Sequence, residues 1–454
     1  MYIPPGLDRV DLRPGLKSFH PPARDGRLRL QVIGKGLVPT SKLALLGGEP
    51  VRTKPWPLWP VYDDRELSAL KEVLESRQWC RMGGRKVERF EQAFAAYQDA
   101  RFGIAVANGT AALEIALKAA GVEAGDEVIV PAYTFIATAT APLQLSAIPI
   151  FVDIDPDTGN IDPRAVEAAV TGRTRAVVPV HFGGRAADMD RILEIAGRRG
   201  LLVIEDACHG WGATWKDRKL GAIGLAGGVS FQQSKNITAG EGGVVLTNDD
   251  GVAGKCYSLQ TIGRIEGRPF YEHHLAGWNY RMTEWQGALL LVQLERLEEQ
   301  TRRRWANAGL LDDRLKDFPC IRPLRNDPWV TRSSVHVYMA RYGAEAMEDI
   351  PRDRFLRALA AEGVPVGGGY PHPLYRNPLF TGMHFGRKGH PYTCSHYGGA
   401  VDYSKCHCPA AERFCRENLS IFQNVLLAEP EEMQDIVRAV EKVWENRGAL
   451  RGTP

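Results

Sequence analysis

The sequence predicts an α/β protein: a mostly parallel central sheet with helices on both faces, plus a smaller C-terminal α+β domain. Three observations carry that reading. The apolar runs are continuous and rich in Val, Ile and Leu, as strands buried on both faces require. Amphipathic helical patterns separate them in regular alternation. The polar and glycine-rich stretches fall directly after the runs, at the strand ends where such sheets bind ligands.

The elements follow in order. Residues 1–40 are rich in Pro, Gly and Arg without a sustained period, which predicts a flexible extension. "DDRELSALKEVLES" (63–76) has apolar residues at helical spacing behind an aspartate cap, and "KVERFEQAFAAYQ" (86–98) repeats the pattern. "FGIAVA" (102–107) is a strand, and "NGTAALEIALKAAGV" a helix opening on Gly109 and Thr110. "EVIVPA" (127–132), "IPIFVDID" (148–155), "RAVVPVHF" (175–182) and "LLVIEDA" (201–207) are further strands, with helices between them. "GGVSFQ" (227–232) and "GGVVLTN" (242–248) complete the set. Residues 288–315 form one long helical pattern, a spine leading into strands, helices and a Gly/Pro-rich loop region that ends in a last helix. The predicted boundaries are therefore 1–40, 41–287 and 288–454.

The 454 residues are 44% hydrophobic and 24% charged, a composition able to bury a large core. A net charge of +3 gives no ground for nucleic-acid binding. No apolar run approaches the roughly 20 residues of a membrane helix. Prolines and charges near the N-terminus replace the apolar stretch of a signal peptide, so a cytoplasmic protein is expected. The eight cysteines are expected as thiols. Cys406, His407 and Cys408 lack the paired spacing of a zinc site, so no metal is expected.

Four features at strand ends need one explanation. Gly109 and Thr110 open a helix directly after a strand, where free N–H groups and the helix dipole favour a phosphate. Glu205 and Asp206 end a buried strand, and an acid there needs a cationic or hydrogen-bonding partner. Tyr133 and Phe135 follow another strand and could cover a flat ring. Lys235, in "SFQQSKNITAGEGG", is a lone amine among small residues, suited to a nucleophile if its pKa is depressed. Each has a plain structural reading as a cap, a core aromatic or a solvated loop charge. Together, a phosphate cradle, an acid, an aromatic lid and an amine are what pyridoxal 5′-phosphate requires.

The chain from about Ser41 onward resembles the DegT/DnrJ/EryC1/StrS group of fold-type-I enzymes that use this cofactor, the sugar and aminocyclitol aminotransferases. The motifs are "NGTAAL", "PAYTFIATATAPLQLSAIPIFVDID", "VIEDACHGWGA", "SFQQSKNITAGEGG" and "WNYRMTEWQGALLLVQL". The resemblance implies that Lys235 forms the internal aldimine, Asp206 pairs with the pyridinium nitrogen and Phe135 stacks on the ring. His209 would lie near the ring's phenolic oxygen, and Gly109, Thr110 and Ser230 would hold the phosphate. Asn279 would reach the cofactor of a neighbouring subunit, implying a homodimer with shared sites. Residues 1–40 have no counterpart in the group, and 384–408 resembles an insertion.

The expected reaction moves an amino group from glutamine or glutamate to a keto-cyclitol or keto-sugar, with the cofactor passing through pyridoxamine 5′-phosphate. "QWCRMGG", "PVHFGG" and "AGEGG" lie where the group forms its substrate pocket, which makes Trp79, Arg81, His181 and Tyr280 candidate substrate contacts. Arg81 is the candidate for a bidentate grip on the donor's carboxylate. The stretch "WPLWPVYDDRELSALKEVLESRQWCRMGG" is most similar to enzymes of scyllo-inosose-type cyclitols and to 3-amino-5-hydroxybenzoate synthase, a dehydrating and aromatising relative that would use the same lysine. A ketosugar dehydratase would carry histidine in place of Lys235. A regulator lacking catalysis would need a DNA-binding appendage, for which residues 1–40 lack the patterning.

Overall fold

Asp63 caps the first helix, α1 (Asp64–Ser76), by accepting from Arg65 N, while Glu66 accepts from the Asp63 N–H in return. This computed structural model describes residues 41–383, 385 and 389–452. The extension expected over 1–40 lies outside the described residues. After α1 come α2 (Lys86–Tyr97), β1 (Phe102–Val106), α3 (Gly109–Ala120), β2 (Glu127–Pro131), α4 (Ala137–Gln144) and β3 (Ile148–Val152). The alternation continues through α5 (Pro163–Ala169), β4 (Thr174–Val177), α6 (Met189–Arg199) and β5 (Leu202–Asp206). A short hairpin of β6 (Thr214–Trp215) and β7 (Arg218–Lys219) precedes β8 (Ala226–Ser230), β9 (Gly243–Thr247) and α7 (Asp250–Gln260).

The seven-stranded sheet has the order β1-β9-β8-β5-β4-β2-β3. The pairs β2–β3, β2–β4, β4–β5 and β5–β8 are parallel, and only β9 runs against its neighbours. The carboxyl ends of β1, β2, β5 and β8 therefore share one edge, and the predicted site residues Gly109, Phe135, Asp206 and Ser230 lie there. Every residue of β2, β8 and β9 is buried, as the continuous apolar runs required. Helix α3 packs Leu113, Ile115 and Leu117 into the main core, at most 1% exposed. Each such side chain contributes about 1.5–3 kcal/mol by leaving water.

The long helix α8 (Glu284–Leu315) leads to β10 (Ile321–Pro323), β11 (Val330–Arg332), β12 (Val337–Tyr342), α9 (Arg352–Ala361) and β13 (Val366–Gly367). The chain ends with α10 (Pro378–Thr381), α11 (Pro409–Glu417), β14 (Asn418–Phe422) and α12 (Met433–Glu445). A four-stranded antiparallel sheet, β10-β12-β14-β13, builds the smaller α+β part. The expected boundary at 287/288 falls inside α8. The smaller core also takes in Leu43, with Val51 and Trp56 packed against it, so the first described residues belong with the C-terminal layer. Glu362 fixes this by accepting from Ala44 N and Val51 N and pairing with Lys442 at 2.8 Å.

The expected insertion, 384–408, sends three tyrosines into the core. Tyr403 donates to the Pro149 carbonyl of edge strand β3 (2.7 Å), Tyr392 meets the Tyr403 hydroxyl (2.6 Å) and Tyr397 donates to Glu127 (3.0 Å). Among the described residues no helix is long and apolar enough to cross a membrane.

Candidate active site

Strand β5 ends in two adjacent carboxylates that alternate across the sheet. Glu205 points to one face and is wholly buried, accepting from Gly221, Ile223 and Gly224 N–H groups at 2.7–2.8 Å and from His181 at 2.9 Å. Burial alone would raise this carboxyl, but His181 and the N–H groups outweigh it and hold it below its ordinary value. Asp206 points to the other face. Its Oδ2 accepts from Thr138 Oγ1 (2.7 Å) and its Oδ1 from Cys208 N (3.2 Å). Thr138 lies in α4, five residues beyond Tyr133, so the aromatic turn after β2 also delivers the donor that orients the acid.

Asn108 caps α3 by accepting from Ala111 N (2.9 Å). The N–H groups of Gly109 and Thr110 have no partner among the described residues. A Cβ on Gly109 would stand 2.6 Å from Ser230 Cβ, so only glycine lets the helix end approach the end of β8 this closely. Two free N–H groups and the Ser230 hydroxyl thus lie close together at the N-terminal end of α3.

Lys235 follows β8 in a loop pinned by Trp59 Nε1 to the Gln233 carbonyl (2.9 Å) and by Thr238 to the Phe231 carbonyl (2.9 Å). Its amine makes no hydrogen bond or ion pair among the described residues and lies 5.8 Å from the centroid of the Trp211 ring. Burial lowers its pKa, against the raising influence of Cys208 and Asp206. His209 is held well below the ordinary imidazole value, first by burial and then by Lys235. Its Nδ1 accepts from Gly183 N (3.2 Å), which leaves the proton on Nε2.

Phe135 is 57% exposed in the turn before α4, free to cover a ring, whereas Tyr133 is core. The Tyr133 hydroxyl receives Tyr370 N (3.3 Å) and Asn418 Nδ2 (3.2 Å). Tyr370 stands 5.3 Å from Tyr133, ring to ring, and burial followed by the Asp206 charge raises its hydroxyl. It was not legible as a site residue, because its only sequence signal is a Gly/Pro-rich loop, "GGGYPHPLY".

The residues proposed for substrate contact divide. His181 is fully buried, with Nδ1 accepting from Ala187 N (3.1 Å) and Nε2 on Glu205, so neither nitrogen is left for a substrate. This corrects the expectation: the imidazole serves the buried Glu205. Arg81 is likewise committed, its guanidinium paired with the buried Glu91 and 5.2 Å from the Tyr257 ring, so it is not free to grip a carboxylate. Tyr280 donates to the buried Glu114 of α3 (3.0 Å) and stacks on Trp278 at 5.6 Å, which turns it inward. Asn279, between these two in extended chain, is correspondingly exposed. Trp79 is 49% exposed and packs on Trp285 at 5.4 Å.

The residues fit a phosphate-bearing pyridine aldehyde. The N-terminal end of α3 suits the phosphate, Asp206 keeps lone pairs for a ring N–H, and the unpartnered Lys235 amine suits the aldehyde.

Residues 60–441 match the model of the DegT/DnrJ/EryC1/StrS aminotransferase family. An L-glutamine:scyllo-inosose aminotransferase of Streptomyces griseus is 40% identical, over 89% of this chain and 98% of its own length. An L-glutamine:2-deoxy-scyllo-inosose aminotransferase of Micromonospora echinospora is 38% identical, over 90% and 99%. The solved structure of 3-amino-5-hydroxybenzoic acid synthase superimposes with a TM-score of 0.78 at 34% identity, covering 86% of this chain and 99% of that one. The structure of NtdA from Bacillus subtilis with bound cofactor PMP gives 0.72 at 26% identity, covering 87% of each chain.

Proposed function

The chain belongs to the DegT/DnrJ/EryC1/StrS aminotransferase family, and we propose that it moves an amino group from L-glutamine to a keto-cyclitol of the scyllo-inosose class, with pyridoxal 5′-phosphate held at Lys235. The observation that carries the acceptor and donor is full-length similarity, near 40%, to relatives named for that chemistry. The observation that supports the cofactor is the unpartnered amine beside Asp206 and the glycine-opened helix end.

When bound, the cofactor supplies an aldehyde that takes up an amine and a ring that accepts electrons. Gly109, Thr110 and Ser230 bind its phosphate. Asp206, oriented by Thr138, holds the proton on the ring nitrogen. His209 offers its Nε2–H to the phenolic oxygen, and exposed Phe135 covers the ring. Lys235, its pKa lowered by burial, takes the proton from the donor's α-carbon and, in the second half of the cycle, returns one to the acceptor's carbon.

A second copy of the chain completes the site in this reading. Asn279 faces outward, and Tyr271, eight residues before it, is 85% exposed. Similarity to 3-amino-5-hydroxybenzoic acid synthase supports a second outcome, dehydration and aromatisation at the same lysine, which product analysis distinguishes.

The test loads the protein with pyridoxamine 5′-phosphate and mixes it with a panel of keto-cyclitols and nucleotide-linked ketosugars. Return of the aldehyde-form absorbance with scyllo-inosose or a deoxy analogue, and not with the nucleotide sugars, is expected. The reverse pattern would move the chain to the nucleotide-sugar branch.

A further inference from the structure

The segment Ser334–Val335–His336, just before β12, is tied to three loops around Lys235, at Gly183–Gly184, His209 and Asn236. Ser334 N donates to Gly184 O (3.2 Å) and His336 N to Gly183 O (3.0 Å). Ser334 Oγ donates to the His209 carbonyl, and Asn236 Nδ2 donates to Ser334 O (2.8 Å). The contact is tight: a Cβ on Gly184, at φ +89°, would stand 1.9 Å from Ser334 Oγ. Val335, between the two anchors, is buried with φ +47°. A β-branched residue avoids that left-handed region, and such strain persists only where the surroundings over-determine it.

The strap also fixes two imidazoles. Asn236 spends its N–H on Ser334, so its Oδ1 faces His336 Nδ1 at 3.1 Å and that nitrogen carries the proton. His209 has the opposite tautomer, with Gly183 N–H on its Nδ1. The rings pack at 4.2 Å, with Trp211 beside both.

We propose that this strap is a positioning element for the amino transfer, in which His336 keeps His209 uncharged with its proton on Nε2. The proposal rests on the reading of Lys235 as the amine that carries the cofactor. His209 is faced by Lys235 and His336, and His336 by Lys235 and by Arg304 of α8. Asp206, at the end of β5 three residues before His209, is the acid of the group. A proton on His209 Nδ1 would confront the Gly183 N–H donor with a second donor, and burial leaves that proton poorly solvated. Removing the His336 ring admits water behind His209 and lifts that restraint, whereas a phenyl ring keeps the space dry.

The test compares His336→Ala and His336→Phe with wild type, all loaded with cofactor, reading the visible absorbance and kcat/KM from pH 5.5 to 8. His336→Ala is expected to gain an acid limb absent from wild type, beginning at about pH 6.5 and falling about tenfold per pH unit, with the absorbance changing over the same range. His336→Phe is expected to keep the wild-type profile. A His336→Ala profile that superimposes on wild type overturns the proposal, as does an equal limb in both variants. Failure of the underlying cofactor reading shows separately, as an absorbance band that survives Lys235→Ala.

Discussion

Thr138 Oγ1 donates to Asp206 Oδ2 across 2.7 Å, joining the helix after β2 to the acid at the end of β5. Thr138 is in turn 3.1 Å from Thr134 Oγ1, so a short hydroxyl chain sets the carboxylate's rotamer. A hydrogen bond to a charged group contributes about 1.5–3 kcal/mol. Thr138→Val should therefore lower kcat about tenfold to a hundredfold while leaving the fold and the bound cofactor in place. Asp206→Asn should go further, retaining cofactor yet losing most turnover. Near-wild-type kcat in Asp206→Asn would remove the electron-sink role from this residue.

Lys235 supplies a second test that needs no substrate. Its folded-state pKa lies below the ordinary 10.5, with burial the leading cause. The unfolded chain therefore binds more protons than the folded one in the window below 10.5, and stability rises with pH through that window. Cofactor-free Lys235→Met should be more stable than the cofactor-free parent at pH 7, with the gap closing as pH approaches 10.5. Urea melts at pH 7 and pH 10 read this directly. A constant gap would mean that the amine is solvated. In the loaded protein, Lys235→Ala should abolish both the visible band and turnover.

The sequence made the sheet legible because buried parallel strands leave continuous Val/Ile/Leu runs, and β2, β8 and β9 are buried throughout. Lys235, Asp206 and Gly109 drew notice for a related reason: Asp206 ends such a run, Gly109 opens the helix after one and Lys235 lies in the loop after one. His181 also follows a strand and misled for that reason. Strand alternation turns Glu205 away from Asp206 and its burial demands a partner, but nothing local names His181 as that partner. Tyr370, Thr138 and His336 reach the site only through tertiary contacts, from 68 to 164 positions away from residue 206, and short-range periodicity does not encode such contacts. The place of Leu43 was illegible likewise, because it joins a core assembled from the far end of the chain.

The Glu205–His181 pair predicts a stability defect rather than a substrate defect. Breaking one side of a buried pair costs about 3–5 kcal/mol. His181→Ala should lose about that much in denaturant melts, while KM for the acceptor stays within about twofold of wild type. Glu205 lies below its ordinary value of 4.5 in the folded chain, so its contribution is present above that value and is lost as pH falls through the folded-state pKa. The deficit of His181→Ala should accordingly shrink in acid. A raised KM with unchanged stability would restore His181 to the substrate pocket.

Asn279 and Lys235 provide the test of shared sites. Trp278 and Tyr280 point inward, stacked 5.6 Å apart, so the residue between them faces away from its own core. If Asn279 serves the site of a second copy, a mixed dimer of Lys235→Ala and Asn279→Ala has one site carrying both changes and one carrying neither. Random reassembly of equal amounts places half the dimers in that mixed state, so about a quarter of wild-type activity should return. Each variant alone should be weak. Activity equal to the mean of the separate variants, with subunit exchange verified by mass, would place Asn279 on its own subunit's site and end the shared-site reading.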